Sequence, residues 1–372
     1  MSTLSHYLMI AVTSITLTIF CGLSLLPHEV RMMDSELRLS SPMPKLPSSL
    51  DQFSQFTKEF DAYLNDNVPM RSQLVSLRNL ARLKFFNETQ STFVIAGQDG
   101  WLYLGGTSIN YFRNSYPYTD ESLSTWVAML EKRKTWLKDR GIDYLLVIAP
   151  NKSTAYPEFY PKKYNKVRPD SRCDQLLEKV GGSDYILDLR PAIAREREKS
   201  KDLLYFKTDT HWNDLGALAG AREIVDRLKK RSDLFEKATI PEVQFQTEEY
   251  SGDLARMLDL EGILSESTRA VKVVNPKART IRDETSTSNT TSAGGKRILV
   301  SRTGDESLPK ALFLRDSFTT AIQPYLSECF SESVYFWQHD LSSKLIDAHK
   351  PDIVVEILCE RLLMDKEPEN EL

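Results

Sequence analysis

Histidine is scarce in this chain, which limits the residues available for acid–base chemistry. The 372 residues include 5 histidines. His6 and His28 flank an apolar run at the N-terminus, so His211, His339 and His349 remain for chemistry in the body of the protein. Of these three, His211 has a carboxylate two residues before it and a tryptophan directly after it, in the segment Asp209-Thr210-His211-Trp212.

Cysteine is also scarce, with 4 residues in the whole chain. No two cysteines have the CxxC spacing of a metal site. Cys21 lies in the N-terminal apolar run, and one disulfide among Cys173, Cys329 and Cys359 is compatible with the sequence, which does not select a pair. Cys359 ends an apolar segment and is expected to be a buried thiol.

An excess of positive charge is absent as well. The formal net charge is −4 and the pI is near 5.9, which argues against a general nucleic-acid-binding protein, because such proteins need a basic face to displace counterions. The chain also lacks a glycine-rich nucleotide loop, so we expect no nucleotide cofactor. With 41% hydrophobic residues it has enough apolar side chains for a large core.

The N-terminus carries one long apolar segment. Residues 7–26 contain no charged residue and have about the length that crosses a bilayer core. A cleavable signal peptide is one interpretation, but the segment ends without a small-x-small cleavage site. We therefore predict a signal anchor over residues 1–30, a single transmembrane helix in the inner membrane, with the remainder of the chain in the periplasm.

The sequence after the anchor predicts one catalytic domain. Residues 31–50 are rich in proline and serine and indicate a linker, residues 51–365 form the domain, and residues 366–372 form a polar tail. A segment rich in serine, threonine and asparagine predicts a mobile insertion around 283–295. Apolar residues at helical spacing between 53 and 81 predict two core-facing helices, with a membrane-surface role as the second interpretation.

From residue 142 onward, predicted strands alternate with predicted helices, which favours an α/β fold with a mostly parallel sheet. Ligands of such sheets bind beyond the carboxyl ends of the strands. Asn151, Ser317 and Glu360 each follow such an end, and His211 directly precedes a helix. We expect these residues to meet at one edge of the sheet.

The residues at this edge include the parts of a serine nucleophile triad. A serine hydroxyl needs a base within hydrogen-bonding distance, and the base needs a partner that orients it. Ser317 follows a short apolar strand, His211 is the best candidate base, and Asp209 is the best candidate for orienting it. Each segment taken alone is more often an ordinary capping turn, and a metal site at Asp209 and His211 lacks a third histidine or cysteine nearby, so no metal is predicted.

Several segments together resemble the alginate O-acetyltransferase AlgJ/AlgX group, whose fold is related to SGNH hydrolases. The resemblance spans roughly residues 50–362. It is carried, in order, by Asn67-Val68-Pro69-Met70-Arg71, Gly97-Gln98-Asp99-Gly100-Trp101-Leu102-Tyr103, Pro150-Asn151-Lys152-Ser153-Thr154 with Tyr156-Pro157, Asp209-Thr210-His211-Trp212-Asn213, Ser251-Gly252-Asp253-Leu254-Ala255, Arg315-Asp316-Ser317-Phe318 and Glu360-Arg361.

This resemblance implies a three-layer SGNH-hydrolase-like fold and a role for individual residues. Ser317 would be the nucleophile, His211 the base and Asp209 its orienting partner. Residues that would line the substrate site are Asn151, Lys152, Tyr156 and Arg315. The implied activity is acetyl transfer to hydroxyl groups of an exopolysaccharide through an acyl-enzyme.

The resemblance also implies partners. Acetyl-CoA is not available outside the cytoplasm, so the acetyl group would come from a polytopic membrane-bound O-acyltransferase, and the acceptor would be a polysaccharide. Two alternatives remain open from the sequence. One is a carbohydrate esterase or deacetylase that uses the same three residues, and the other is a non-catalytic subunit of an exopolysaccharide assembly complex.

Overall fold

The computed structural model describes residues 3–24, 28–30, 32–33, 38–282 and 298–365. The predicted mobile insertion around 283–295 and the polar tail 366–372 lie outside the described residues. The helices are α1 Thr3–Ser24, α2 Phe53–Asp66, α3 Arg71–Phe86, α4 Thr107–Arg113, α5 Asp120–Lys138, α6 Lys152–Ala155, α7 Arg172–Val180, α8 Arg190–Lys199, α9 Asp214–Arg231, α10 Asp253–Arg256, α11 Thr319–Leu326, α12 Ser343–His349 and α13 Leu362–Asp365.

The strands form one large sheet and three two-stranded pairs. They are β1 Met32–Met33, β2 Arg38–Leu39, β3 Val94–Ala96, β4 Leu102–Leu104, β5 Asp143–Ala149, β6 Ile186–Asp188, β7 Val243–Tyr250, β8 Glu266–Val273, β9 Arg279–Arg282, β10 Ile298–Arg302, β11 Lys310–Arg315, β12 Glu332–Phe336 and β13 Ile353–Cys359.

The large sheet has seven strands in the order β6-β5-β13-β11-β12-β10-β9. The first five are parallel to one another. Beyond them, β10 pairs antiparallel with β12, and β9 pairs antiparallel with β10. The predicted α/β fold with a mostly parallel sheet is thus confirmed. The central strands are mostly apolar because both faces of a parallel sheet are covered, although β13 carries Glu356 among its apolar residues.

Helices cover both faces of this sheet, which produces three layers. On one face, α8, α9 and α11 pack against Leu145, Phe313 and Val355. On the other face, α5 and α7 pack against alternate residues of the same strands, such as Leu146 and Val354. Successive residues of a strand point to opposite faces, so each strand contributes to both clusters.

The β7–β8 ribbon was not predicted from the sequence. Its two strands pair antiparallel over eight residues each, from Val243↔Val273 to Tyr250↔Glu266. Most β7 side chains are exposed, so this strand lacks the apolar alternation that marks a half-buried strand. Strands β3 and β4 also pair antiparallel, and most of their residues are buried.

Within the part of the chain that the structure describes, no helix is both long and apolar enough to cross a membrane. The transmembrane helix predicted for the N-terminus is therefore not shown, although α1 covers most of that segment. The predicted linker contains β1 and β2, which pair with each other. Arg38 of β2 binds the buried carboxylate of Asp66 in α2 through two hydrogen bonds of 2.8 and 2.7 Å.

The prediction that the helix after Pro69 faces the core holds for one side of α3, where Leu80 packs against a buried cluster, but not for Leu74 and Leu77. Helix α3 has no buried residue, and Leu74 and Leu77 are 52% and 65% exposed. The apolar spacing correctly predicted a helix, but the same spacing arises on a helix that presents an apolar stripe to its surroundings.

Cys173, Cys329 and Cys359 are free thiols and all three are buried. No disulfide links these described residues, and the expectation that Cys359 is a buried thiol is confirmed. Burial raises the pKa of the Cys329 and Cys359 thiols to about 12, so neither is a reactive thiolate at neutral pH.

Candidate active site

A tight turn follows strand β11 and carries Ser317. The preceding residue, Asp316, is buried and accepts hydrogen bonds from two backbone N–H groups, that of Phe318 at 2.9 Å and that of Cys359 at 2.7 Å. The first bond closes the turn, and the second ties it to the end of the adjacent strand β13. Ser317 is thereby held at the carboxyl edge of the sheet with its side chain only partly covered.

The loop that carries His211 is held in place by two charged side chains that form hydrogen bonds to its backbone. The Nζ of Lys152 donates to the backbone carbonyls of Phe206, Lys207 and Asp209. The carboxylate of Glu266 accepts hydrogen bonds from the backbone N–H groups of Lys207 and Thr208, each at 2.8 Å. A buried loop would otherwise leave these groups unpaired, so the contacts stabilise one conformation.

Three side chains from these two loops form a continuous hydrogen-bonded chain. Ser317 Oγ lies 2.7 Å from His211 Nε2, and His211 Nδ1 lies 2.7 Å from Asp209 Oδ1. The contact between serine and histidine joins residues 106 positions apart in the sequence. The predicted convergence of Asp209, His211 and Ser317 is therefore present in the structure.

Asp209 is almost fully buried and accepts from four donors. Oδ1 accepts from the backbone N–H of His211 as well as from its ring, and Oδ2 accepts from the Tyr250 hydroxyl and from the backbone N–H of Asp253, both at 2.9 Å. Burial alone would raise the pKa of Asp209, but the hydrogen bond and the charge of His211, with the backbone donors, outweigh burial and lower the pKa below its usual value. The carboxylate is therefore ionised at neutral pH.

A second carboxylate, Asp253, lies behind His211. Its Oδ2 is 3.7 Å from His211 Nδ1 and accepts a hydrogen bond of 2.6 Å from the Thr210 hydroxyl, while Oδ1 accepts from the Thr210 backbone N–H. Burial, followed by the negative charge of Asp209, raises the pKa of Asp253. The Ser251-Gly252-Asp253 segment contributes to the family resemblance, but nothing in the sequence predicts a role for Asp253 or Tyr250, because neither lies near the histidine in sequence.

The histidine loop and the serine turn are also joined directly. Trp212 Nε1 donates a hydrogen bond of 3.0 Å to the Phe318 carbonyl, and the two rings pack edge to face with centroids 5.2 Å apart. Helix α9 begins at Asp214, and the side chain of the preceding Asn213 caps it by accepting hydrogen bonds from the N–H groups of Leu215 and Gly216. A Cβ on Gly216 would lie 2.3 Å from the Leu204 carbonyl oxygen, and a Cβ on Gly220 would lie 3.2 Å from the Trp212 ring, so Gly220 is the glycine that allows the indole to approach the helix closely.

Asn151 follows strand β5 and lies at the same edge. Its backbone N–H donates to the buried carboxylate of Glu360 at 2.7 Å, and its Oδ1 accepts from the Cys359 thiol at 3.0 Å. Its Nδ2 is buried and has no hydrogen-bond partner. Asn151 also lines a cavity of about 20 Å³, together with Thr210 and Arg361. A buried donor without a partner is costly unless a bound group accepts from it.

The other predicted substrate residues have structural contacts. Lys152 is 3% exposed, and although burial lowers its pKa to about 7, its Nζ is occupied by the three carbonyls of the histidine loop. Tyr156 is 2% exposed and its hydroxyl accepts from the Leu204 N–H. Arg315 is buried, bonds to the Thr320 hydroxyl and stacks on Trp337, so it supports the serine turn from the side.

Among the described residues, one group has the spacing of a metal site: Asp209, His211 and Asp253, whose ligand atoms lie within 4.8 Å of one another. The oxygens of both carboxylates already accept hydrogen bonds from Tyr250, Thr210, His211 and the Asp253 backbone. A metal ion would have to displace these donors. The three residues therefore fit a histidine that is oriented by hydrogen-bonded carboxylates better than they fit a metal centre.

With this geometry established, comparison with known proteins identifies the family. Residues 94–339 match the family model described as the SGNH hydrolase-like domain of acetyltransferase AlgX, which is more than half of the chain. The chain belongs to this family. The matched region includes the histidine loop and the serine turn.

Relatives in sequence include proteins named probable alginate O-acetylase AlgJ. The relative from Pseudomonas fluorescens is 27% identical over 214 residues, which is 56% of this chain and 51% of that protein. The relative from Pseudomonas aeruginosa is 25% identical over 217 residues, again 56% of this chain and 51% of that protein. The chain thus spans about half the length of the relatives that it matches.

Solved structures share the fold. The alignment with Bacillus cereus PatB1 has a TM-score of 0.52 at 18% identity, and it covers 74% of this chain and 99% of the PatB1 chain. A DHHW family protein from Eubacterium siraeum has a TM-score of 0.52 at 15% identity, covering 76% of this chain and 95% of its own. At these identities the likeness concerns the fold alone.

Proposed function

We propose that this protein is an O-acetyltransferase that moves acetyl groups onto hydroxyl groups of an extracellular polysaccharide. The observation that carries the proposal is the hydrogen-bonded chain from Ser317 Oγ through His211 to Asp209, with 2.7 Å at each step. The family and the relatives named as alginate O-acetylases support the choice of acetyl transfer within the reactions open to such a triad.

In the first step, Ser317 Oγ attacks the carbonyl carbon of an acetyl donor while His211 Nε2 takes the hydroxyl proton. The ionised Asp209 stabilises the imidazolium through its hydrogen bond to Nδ1. Collapse of the tetrahedral intermediate breaks the bond to the leaving group, which takes the proton from His211. The product is an acetyl ester on Ser317.

In the second step, a sugar hydroxyl attacks this ester. His211 Nε2 takes the hydroxyl proton, the new carbon–oxygen bond forms, and the proton passes to Ser317 Oγ as the acyl-enzyme breaks. The enzyme returns to its starting state, and the acetyl group is on the sugar. Transfer prevails over hydrolysis when the acceptor occupies the site in place of water.

The oxyanion formed in both steps needs preorganised donors. Two candidate donors lie at the carboxyl edge of the sheet, where the turn of Ser317 also lies. Asn151 Nδ2 is buried without a partner, and the Ser317 backbone N–H has no acceptor among the described residues. We assign both to the oxyanion, because a negative oxygen would satisfy groups that the resting protein leaves unpaired.

Location and partners complete the proposal. The uncharged apolar segment at residues 7–26 supports export, with attachment to the inner membrane and the catalytic domain in the periplasm. In that compartment a membrane-bound O-acyltransferase would supply the acetyl group. Cell fractionation measures this directly, because a periplasmic enzyme is digested by protease added to spheroplasts and a cytoplasmic one is not.

The enzymatic test uses the full chain in detergent with an activated acetyl ester, with and without uronate or neutral oligosaccharides, followed by mass spectrometry of the sugar and of Ser317. We expect an acetylated sugar and a mass increase at Ser317. Ser317→Ala should abolish both, and Asp209→Asn should reduce turnover about 10⁴-fold, because it stabilises the wrong imidazole tautomer.

Two outcomes would contradict the proposal. Release of acetate at a rate independent of sugar would identify an esterase instead. Acetylation of sugar that persists in Ser317→Ala would remove the serine from the mechanism. His211→Ala provides a second measurement, since it leaves the serine in place and removes the base.

A further inference from the structure

Helix α3 carries an apolar stripe on its outer side. Leu74, Leu77 and Phe85 are 52%, 65% and 80% exposed. At 3.6 residues per turn these three positions fall within an arc of about 80°. Met70, just before the helix, is 60% exposed and extends the stripe by one turn. Single exposed apolar residues are common, but an aligned row of this length on one helix is typical of a surface that binds another protein or a membrane.

The opposite side of α3 is already in use. Asn79 Nδ2 donates to the Leu258 carbonyl at 2.8 Å, and Ser76 Oγ contacts the Asp259 carbonyl. Leu80 and Leu83 pack against a small buried cluster around Leu254 and Leu258. These contacts fix the rotation of the helix, so the apolar stripe is held facing outward.

The charged residues of α3 are all basic, and they lie along the apolar stripe. The helix contains four basic residues and no acidic residue. Arg71, Arg78 and Arg82 project along one side of the stripe and Lys84 along the other, by the same 3.6-residue geometry. Arg82 also pairs with Glu88 at 3.3 Å, and Arg71 has an interaction of its own as well.

We propose that α3 lies on the surface of an anionic phospholipid bilayer, with its apolar stripe among the upper acyl chains and its basic side chains among the phosphates. An apolar stripe bordered by arginine and lysine is the pattern of helices that lie in the membrane interface. A protein groove would accept the same apolar residues, but it would not require positive charge on both sides of the stripe. The helix also contacts residues 258–259, shortly after Asp253, so docking would set the orientation of the active site above the bilayer.

The test places a fluorophore on the stripe of the full-length protein. Leu77→Cys is labelled in a Cys21→Ser background, since Cys173, Cys329 and Cys359 are buried. The protein is reconstituted into phosphatidylcholine vesicles with or without phosphatidylglycerol, and a spin-labelled lipid serves as quencher. The matched control is Lys132→Cys, an exposed position on α5, which packs on a different cluster.

We expect lipid quenching and a blue shift at position 77 in vesicles that contain phosphatidylglycerol, and neither at position 132. Added salt should weaken the effect, and so should the variant R71S/R78S/K84S, by about fivefold in partitioning for each charge removed. Comparison with L74S in the same assay separates the apolar contribution from the electrostatic one.

Three results would overturn the proposal. The label could stay in water in both kinds of vesicle, or it could be quenched equally at positions 77 and 132. It could also be shielded only when a membrane-bound acyltransferase is reconstituted with the protein, which would identify α3 as a protein-binding surface. Circular dichroism of each variant establishes that the fold is intact, since Leu74, Leu77, Arg78 and Lys84 are exposed and Arg71 is partly exposed.

Discussion

Asp209 has more hydrogen bonds than orientation of one imidazole requires. Its two oxygens receive a ring N–H, two backbone N–H groups and a tyrosine hydroxyl. Each donor stabilises the same ionised form and the same rotamer, so loss of any one leaves the others in place. The surrounding residues therefore determine the position of the Asp209 carboxylate as well as its charge.

Gly252 makes this position possible. A Cβ at residue 252 would lie 2.4 Å from the Thr208 carbonyl oxygen and 2.5 Å from Asp209 Cβ. We predict that Gly252→Ala displaces the histidine loop and lowers the acetyl-transfer rate at least tenfold, at a cost in stability of about 1–3 kcal/mol from overpacking. Steady-state kinetics with a soluble acetyl donor and a urea unfolding curve measure the two effects.

Gly100→Ala is the matched control for that substitution. Gly100 has a φ of +78°, but a Cβ there would meet no atom within 4 Å. It should reduce stability by about 1 kcal/mol, because alanine disfavours this backbone conformation, and leave the rate unchanged. Equal rates for the two alanine variants would show that the close contact at Gly252 does not position the triad.

At the scale of elements, strand β13 is the strand whose burial restricts its residues most strongly. It lies between β5 and β11, and all seven of its residues are buried. One of them is Glu356, whose carboxylate binds Arg133 at 2.8 Å and the Tyr144 hydroxyl at 2.7 Å, with His339 at 3.3 Å. A buried charge of this kind depends on its partners.

We predict that Arg133→Met destabilises the protein by about 3–5 kcal/mol, because Glu356 then lacks its counter-ion in the core. The double variant Arg133→Met/Glu356→Gln should recover much of that loss, since glutamine still accepts a hydrogen bond from Tyr144. Arg195→Met, which removes an exposed pair with Glu223, serves as the control and should cost less than about 1 kcal/mol. A double variant no more stable than the single one would disprove the dependence.

The same elements show what the sequence was able to predict. Strands β5, β11 and β13 are apolar except for Glu356 and for charged residues at the ends of β5 and β11, so their pattern predicted buried parallel strands, and the residues after them predicted a common edge. Asp253 and Tyr250 were missed because their contacts with Asp209 join residues 44 and 41 positions apart in the sequence. For α3, periodicity predicted the helix but not which surface would cover its apolar side.

At the scale of the whole molecule, one ion pair attaches the N-terminal segment to the body. Arg38 and the backbone N–H of Ser41 both bind the buried Asp66. The hydrogen bonds from Arg38 are the largest influence, and with Ser41 they hold the pKa of Asp66 well below its usual value in spite of burial. Because the folded pKa is depressed, this contribution to stability is present above the unfolded pKa and is lost as the pH falls through the folded value.

We therefore predict that Asp66→Asn lowers the free energy of unfolding by about 1–2 kcal/mol at pH 7, and that the difference from the wild type shrinks below about pH 4. Urea unfolding at both pH values measures it. The control is Asp61→Asn, an exposed carboxylate on the same helix. A difference that stays constant from pH 7 to pH 3 would contradict the role of the ionised carboxylate.

The position of β13 also imposes an order in time. It is the last strand along the described part of the chain, yet it occupies the middle of the sheet, and its final residue supplies the N–H that anchors the turn of Ser317. A chain emerging from the ribosome or from an export channel presents Asp209, His211 and Ser317 well before residue 359. We expect that Ser317 has no fixed position until β13 inserts between β5 and β11, so a growing chain that has not yet added β13 would lack the acetyl-transfer activity proposed above.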